Sequence, residues 1–311
     1  MTPPKVLSGK TTARREGTFD LFGIFGYPLS HTLSPAMHEA AFSELGIEAY
    51  YLVLELDPPA FRRCLSRRSG NLLSGFNITV PYKETVLRFL DEVRPEARAI
   101  GAVNTVFRRG KKWVGTNTDV EGFLLSLLRD GKFRARGKRA LVLGAGGAAR
   151  ALVYGLSRQG AERVWITDCV PGKAVKIVRD MKKIFRRVSY RALAAGSLNV
   201  KEGIKEADII INATPLGLKP RDPRVVPGSW VPSGRAGRKL FMDLIYNPEE
   251  TPFLKVARRR GHRTLNGLGM LLYQGARAFE YWTQRPAPVA VMRQALFQAL
   301  ERKKEAWTRR S

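Results

Sequence analysis

The chain has 311 residues, 44% of them apolar, enough for one large or two medium domains with their own cores. Lys and Arg number 54 against 27 Asp and Glu, a formal net charge of +27. No apolar run is long enough to span a bilayer, and neither the cysteines (Cys64, Cys169) nor the histidines (His31, His38, His262) show metal-ligand spacing, which argues against an integral membrane protein and against a structural metal. Residues 1–18 are polar and basic; a flexible tail is expected there rather than a secretory leader, and two lone cysteines fit a reducing cytoplasm. The basic residues are scattered in short groups such as Arg62-Arg63, Arg67-Arg68, Arg108-Arg109 and Lys182-Lys183, without a nucleic-acid motif. They read as a solvated surface that attracts anions, with no specific nucleic-acid partner and no membrane.

In chain order, residues 20–27 read as a strand, and Ser34-Pro35 as an N-cap followed by proline, opening a helix to about 45. A strand at 50–56, a helix at 58–68, a strand at 72–80 and a helix at about 84–93 follow. Residues 101–116 read as a hairpin around Arg109-Gly110. After an apolar helix at 120–128 the pattern becomes repeated βα units, with strands at 140–143, 163–167, 208–213, 239–244 and 262–265, which predicts a parallel doubly wound sheet. Helices at 268–282 and 288–308 close the chain.

The segment Gly75-Phe76-Asn77-Ile78-Thr79-Val80-Pro81-Tyr82-Lys83 sets an amide, a hydroxyl and an ammonium in one short run. On a strand, Asn77 and Thr79 point to the same side. Pro81 ends the strand, and Lys83 falls just past its end, where α/β proteins hold ligands.

Gly144-x-Gly146-x-x-Ala149 follows a predicted strand and opens a predicted helix, the context of a dinucleotide-binding turn. Gly144 permits the tight turn, Gly146 lets the pyrophosphate approach the backbone, and Ala149 keeps helix and strand close. Ala145, Gly147 and Ala148 complete the turn, whose helix N-terminus offers N–H groups to phosphate. Asp168 ends the next strand, where an acid bonds the ribose hydroxyls and repels a 2′-phosphate, which favours NAD. Lys173 can meet a 2′-phosphate, so NADP or NAD is open. Asp168 as a mere cap of the next helix is the plain structural alternative.

Four segments carry a resemblance: Gly26-Tyr27-Pro28-Leu29-Ser30-His31-Thr32-Leu33-Ser34-Pro35, the 75–83 run, Gly101-Ala102-Val103-Asn104-Thr105 and Gly115-Thr116-Asn117-Thr118-Asp119. In this order they closely resemble the shikimate dehydrogenase family, which includes the quinate/shikimate dehydrogenases. The resemblance implies an α/β protein: an N-terminal α/β substrate domain with a mixed sheet over 19–119, completed by C-terminal helices at 267–308, and a Rossmann-type dinucleotide-binding domain over 120–266. It implies reversible, nicotinamide-dependent reduction of 3-dehydroshikimate to shikimate. Lys83 and Asp119 match the family's catalytic pair: the ammonium would protonate the alkoxide left by hydride transfer, and the carboxylate would orient it. In the oxidative direction Lys83 must begin neutral, so activity should rise with pH.

By the same resemblance Thr32 and Ser34 hold the substrate carboxylate, Asn77, Thr79, Asn104, Asp119 and Gln274 contact ring oxygens, and Tyr246 lies on the substrate side of the cleft. Thr214 and Gly267 belong to the cofactor side. Two departures stand out. Thr32-Leu33-Ser34 replaces the family's Ser-x-Ser, which bears on shikimate against quinate, and Asp168-Cys169-Val170-Pro171-Gly172-Lys173 lacks the first arginine of the NADP branch's Asn-Arg-Thr-x-x-Arg. An NAD-dependent quinate/shikimate dehydrogenase and, more remotely, a basic nucleic-acid-binding protein on this scaffold are the alternatives. A homodimer is compatible with the resemblance.

Overall fold

The computed structural model describes residues 19–29, 32–66 and 72–308. The expected tail over 1–18, Ser30-His31 and Arg67-Arg68 lie outside the described residues.

The first sheet is built from β1 (Asp20–Gly26), β2 (Ala49–Glu55), β3 (Gly75–Ile78), β4 (Glu92–Val93), β5 (Thr105–Arg109) and β6 (Lys112–Thr116), with α1 (Ser34–Glu44), α2 (Pro58–Ser66) and α3 (Pro95–Ile100) between them. Its order is β2-β1-β3-β5-β6-β4. β1 pairs parallel with β2 and β3, whereas β3–β5 and β5–β6 are antiparallel, so the sheet is mixed, as expected.

Three local expectations are corrected. Ser34 is not an N-cap; it is the first residue of α1, and Leu33 holds the cap position with no side-chain hydrogen bond. β3 covers only Gly75–Ile78, so Thr79 lies just past its end, still tied to β1 by its N–H on Phe25 O at 2.9 Å. The expected helix at 84–93 is a 3-10 turn, Thr85–Phe89, followed by β4. The physical reason is span: Val86 is fully buried, and the chain must then reach the edge of β6 before Pro95 starts α3. A 3-10 helix rises about 2.0 Å per residue against about 1.5 Å for an α-helix.

Past α4 (Asp119–Arg129) the chain enters the second sheet, with β7 (Arg139–Leu143), α5 (Gly147–Arg158), β8 (Arg163–Asp168), α6 (Lys173–Ile184), β9 (Ser189–Ala194), α7 (Leu198–Glu206), β10 (Ile209–Asn212), β11 (Leu240–Asp243), α8 (Pro252–Arg259) and β12 (Arg263–Leu265). Its order, β12-β11-β10-β7-β8-β9, is parallel throughout and winds outward both ways from β7. The winding reverses between β7 and β10, which opens a crevice beyond their C-terminal ends. β9, α3, α7 and α8 were not anticipated. β9, at the sheet edge, buries only Tyr190 and Leu193, one in each of the two cores, and exposes Ser189, Arg191 and Ala194, so its apolar signal is weak.

The last two helices, α9 (Leu268–Thr283) and α10 (Val289–Thr308), return to the first sheet. Leu272, Tyr273, Phe279 and Leu296 share one core with Phe22, Ile24, Met37 and Phe42. Trp282 stacks on Phe22 at 4.9 Å and donates its indole N–H to Val106 O at 2.9 Å, which fixes the rotation of α9. Gly75 is required beneath it, since a Cβ there would strike the indole. No helix of the described residues is long and apolar enough to cross a membrane.

His38 of α1 is fully buried and stacks on Tyr51 at 4.5 Å, with neither ring nitrogen hydrogen-bonded within the described residues. Burial pushes its imidazole down to about 3. The unfolded chain therefore binds a proton near pH 6.5 that the folded chain refuses, so stability falls as pH drops below about 6.5. Between pH 7 and pH 5 the contribution is about 2 kcal/mol. Urea unfolding at the two pH values should show it, and His38→Leu should reduce the difference; an unchanged difference in His38→Leu would assign the acid sensitivity elsewhere.

Candidate active site

The loop after β3 carries Lys83, and α4 begins with Asp119, fully within reach of it: Lys83 Nζ donates to Asp119 Oδ2 at 2.5 Å. The lysine side chain is 12% exposed and the aspartate 4%, so the ammonium sits at the mouth and the carboxylate beneath it. Asp119 occupies the first turn of α4, where the helix dipole favours a carboxylate. Its second oxygen, Oδ1, accepts from Asn104 Nδ2 at 2.9 Å. Burying an ion pair costs desolvation that its own attraction barely repays. Here the added donor and the helix terminus tip the balance and leave one ammonium in a fixed direction.

Asn104 is the hub of the site. Its Nδ2 also donates to Thr118 Oγ1 at 2.9 Å and Gln274 Oε1 at 3.2 Å, while its Oδ1 accepts the Thr118 N–H at 2.7 Å. Gln274 reaches it because α9 runs tight against α4, where a Cβ on Gly122 would lie 2.7 Å from Gln274 Cβ. Asn77, on β3, donates to Asn104 O and Thr105 Oγ1, each at 3.1 Å, and accepts from Tyr51 OH at 2.7 Å. Burial pushes the Tyr51 hydroxyl far up, with the Ser34 hydroxyl opposing, so Tyr51 stays a proton-bearing donor. Thr32 Oγ1 in turn accepts the Ser34 N–H at 3.3 Å. Tyr246, beyond β11, meets the Leu33 N–H between them, and burial pushes its hydroxyl up to about 12. A continuous polar seam therefore runs from Thr32 through Ser34, Tyr51, Asn77 and Asn104 to Asp119 and Lys83.

The nucleotide-type turn faces this seam. Gly144 adopts φ 104°, and a Cβ there would lie 2.8 Å from Ala213 O and 3.1 Å from the Thr214 methyl. Gly146 caps α5 with no side-chain hydrogen bond, and nothing lies within 4 Å of where its Cβ would be. The α5 N-terminus thus keeps uncapped N–H groups beside open space, which fits a pyrophosphate. A Cβ on Gly147 would lie 2.9 Å from Lys83 Cβ, so the turn abuts the lysine stem. Asp168 Oδ2 accepts the Ala145 N–H at 2.7 Å and Oδ1 the Val170 N–H at 2.8 Å. It therefore ties the turn together and does not cap α6, whose cap is Gly172. Gly267 abuts the Leu244 carbonyl and bonds Ile245 O at 3.0 Å, close to Tyr246.

Thr79 is half-buried just past β3, its methyl against Gly26, and Lys173 is the exposed first residue of α6. Ala148 lies in the first turn of α5 and is half-buried.

The sequence reading missed several supporting residues. Tyr51 looked like one aromatic in an apolar strand, and Thr105 and Thr118 like ordinary neighbours of Asn104 and Asp119. Asp243 is fully buried at the end of β11 and accepts from Asn212 Nδ2 (3.0 Å), Ile245 N–H (3.0 Å) and Thr251 Oγ1 (2.6 Å). Burial raises its carboxyl, against those donors. Asn212 Oδ1 accepts both the N–H and the hydroxyl of Thr214, so Asp243 holds the Thr214 loop and the Tyr246 segment together. Arg150 of α5, 4% exposed, donates to Ile100 O at 2.5 Å and Asp180 Oδ2 at 2.7 Å and so fastens α5 to α3. Only its place after Ala149 hinted at such a role.

Family models match two stretches: the shikimate dehydrogenase substrate binding domain over residues 24–106 and the shikimate 5'-dehydrogenase C-terminal domain over residues 267–297. The chain is 40% identical to the shikimate dehydrogenase (NADP(+)) of Desulforamulus reducens over 91% of its own length and 96% of the relative's. Shikimate 5-dehydrogenase of Thermus thermophilus, solved with NADP(H) and shikimate, superposes with a TM-score of 0.78 at 35% identity, covering 91% of this chain and 100% of the other. Quinate dehydrogenase of Corynebacterium glutamicum, solved with NAD, gives a TM-score of 0.79 at 29% identity over 90% and 99%. With this breadth of match added to the Lys83–Asp119 pair and the turn that abuts it, the chain belongs to the shikimate dehydrogenase family.

Proposed function

We propose that this protein reversibly reduces 3-dehydroshikimate to shikimate, with NAD preferred over NADP. The observation that carries the reaction is the 2.5 Å Lys83–Asp119 pair, set beside Gly147 of the dinucleotide turn. The bound nicotinamide supplies or accepts hydride at the ring carbon. Lys83 gives its proton to the carbonyl oxygen as negative charge develops, and takes it back in the reverse direction. Asp119 and Asn104 hold the ammonium on that oxygen. Thr32 and Ser34 receive the substrate carboxylate, Asn77, Thr79, Asn104 and Gln274 receive the ring hydroxyls, and Tyr246 walls the cleft. Residues 19–119 with 267–308 act as the substrate half and 120–266 as the cofactor half. There the turn from Gly144 to Ala148 receives the pyrophosphate, while Thr214 and Gly267 border the nicotinamide end.

The cofactor preference rests on Asp168, whose carboxylate is anchored at the end of β8 and opposes a 2′-phosphate. NADP is the second reading, favoured by exposed Lys173 and by the cofactor named for the Desulforamulus reducens relative. Initial rates of shikimate and quinate oxidation with each cofactor test all of this. Turnover of shikimate, faster with NAD, is expected; turnover of neither substrate by folded protein would sink the assignment. Asp168→Asn keeps an acceptor for Ala145 and removes the charge, so kcat/KM for NADP relative to NAD should rise about tenfold, equivalent to about 1.4 kcal/mol. An unchanged ratio would hand the selectivity to Lys173.

A further inference from the structure

The parallel sheet has a second charged recess at the edge opposite the cofactor crevice. A cleft of about 670 Å³ opens there, lined by the cations Lys132, Arg134, Lys138, Arg238, Lys239 and Arg263. Arg139, Asp208, Lys239 and Arg263 stand at or just before the first residues of β7, β10, β11 and β12, whereas Gly144, Asn212 and Asp243 lie at the other ends of these strands. A strand of this length is roughly 15 Å long, so the cleft and the crevice are separate.

Three features distinguish the cleft from the scattered basic surface. First, its lining holds one carboxylate, Asp208, which already accepts the Arg139 N–H at 2.8 Å and lies 3.9 Å from both Lys138 Nζ and Arg139 Nε. Second, three of the six cations are held by carbonyls and keep donors to spare, while Lys132, Arg134 and Lys138 stand exposed at the rim. Arg263 donates to Gly131 O, Arg238 Nε to Gly261 O at 3.2 Å, and Lys239 Nζ to Lys205 O and Ala207 O at 2.6 Å each. Each guanidinium has five N–H donors, so several remain on both arginines, and side chains already fixed lose little freedom on binding. Third, Phe133, Leu128 and Leu240 give the cleft an apolar floor. Apolar walls of low dielectric focus the field of the surrounding cations. A cleft of this size suits a small molecule, and six cations against one occupied carboxylate call for more than a single negative charge.

We propose that this cleft is a binding site for a small compound carrying several phosphates and an apolar ring, such as a nucleoside polyphosphate. The phosphates lie against Lys132, Arg134 and Arg238, and the ring lies on Phe133. The site flanks the connection from α4 to β7, so its occupant touches the segment that joins the two sheets.

Calorimetry on the full chain at about 0.15 M salt, with NADH and shikimate, a pair that cannot react, present to fill the catalytic cleft, tests the site with inorganic tripolyphosphate and with GTP as probes. Lys132 has φ 45°, a conformation asparagine tolerates, so the cleft variant is Lys132→Asn/Arg134→Gln. The control, Arg186→Gln/Arg187→Gln, removes the same charge from exposed positions before the far edge strand β9. The tripolyphosphate Kd should rise at least about tenfold in the cleft variant and less than about twofold in the control, with shikimate oxidation unchanged in both. Tighter binding of GTP than of tripolyphosphate assigns the ring to the apolar floor; equal binding overturns that part and leaves a polyphosphate site. Equal weakening in the two variants, no binding at this salt, or displacement of the probe by far tighter binding of duplex RNA would overturn the proposal.

Discussion

Lys83→Ala is expected to lower kcat for shikimate oxidation by about 10³-fold while KM changes by no more than a few-fold. The asymmetry follows from position. The ammonium is at the mouth of the site, 12% exposed, and its firm partner is Asp119 at 2.5 Å. Its contribution is a proton and a positive charge at an oxygen that becomes negative in the transition state, an interaction worth little in the ground state. Lys83→Met keeps the stem that packs on Gly147 and should lose as much kcat as alanine. Steady-state kinetics on both variants decide the matter. A kcat within tenfold of the parent in Lys83→Met would remove the acid–base role, and a loss confined to alanine would mean that the lysine acts by packing alone.

Asp243→Ala should be the most destabilising single change outside the apolar cores, about 3–5 kcal/mol. Three donors converge on this carboxylate from Asn212, Ile245 and Thr251, and both side-chain partners are fully buried. Burial outweighs them, because the carboxyl is raised above its ordinary range. The folded protein therefore binds a proton there more tightly than the unfolded chain, so the ionised form gives up some stability as pH rises through the raised value. Alanine relieves that cost and leaves three orphan donors, and the orphans are the larger effect. Asp243→Asn removes the charge and keeps one acceptor oxygen, so its loss should be smaller. Urea unfolding measures both. The Thr214 loop loses its anchor as well, so the cofactor KM should rise in Asp243→Ala. A destabilisation below about 1 kcal/mol would show that water or a local shift satisfies the donors.

The chain's own pattern was sufficient for most elements, though not for β4, β9, α3, α7 and α8. Period-2 and period-3.6 apolar runs marked most strands and helices, and glycine spacing after β7 marked the turn that α5 opens. The errors fell where local propensity yields to span or to an edge: the 3-10 turn at Thr85–Phe89, the shortened β3, and edge strand β9, which buries only two of its six residues. Lys83, Asn104, Asp119 and Gln274 were legible through family motifs, and they meet. Lys173 was read as a residue for the cofactor's 2′-phosphate, and it stands exposed as the first residue of α6.

Sequence by itself determined the classes of element, the parallel and mixed sheets and the chemistry available at each motif, because these depend on local periodicity and on residue type. Only the tertiary structure decided which groups share a proton or a charge. Tyr51 reaches Asn77 from 26 residues away, Gln274 reaches Asn104 from 170, and Arg263 closes a basic cleft with Lys132 across a sheet edge. Such pairings are set by strand register and helix packing, where a one-residue slip turns a side chain to the other face, and no local pattern records them.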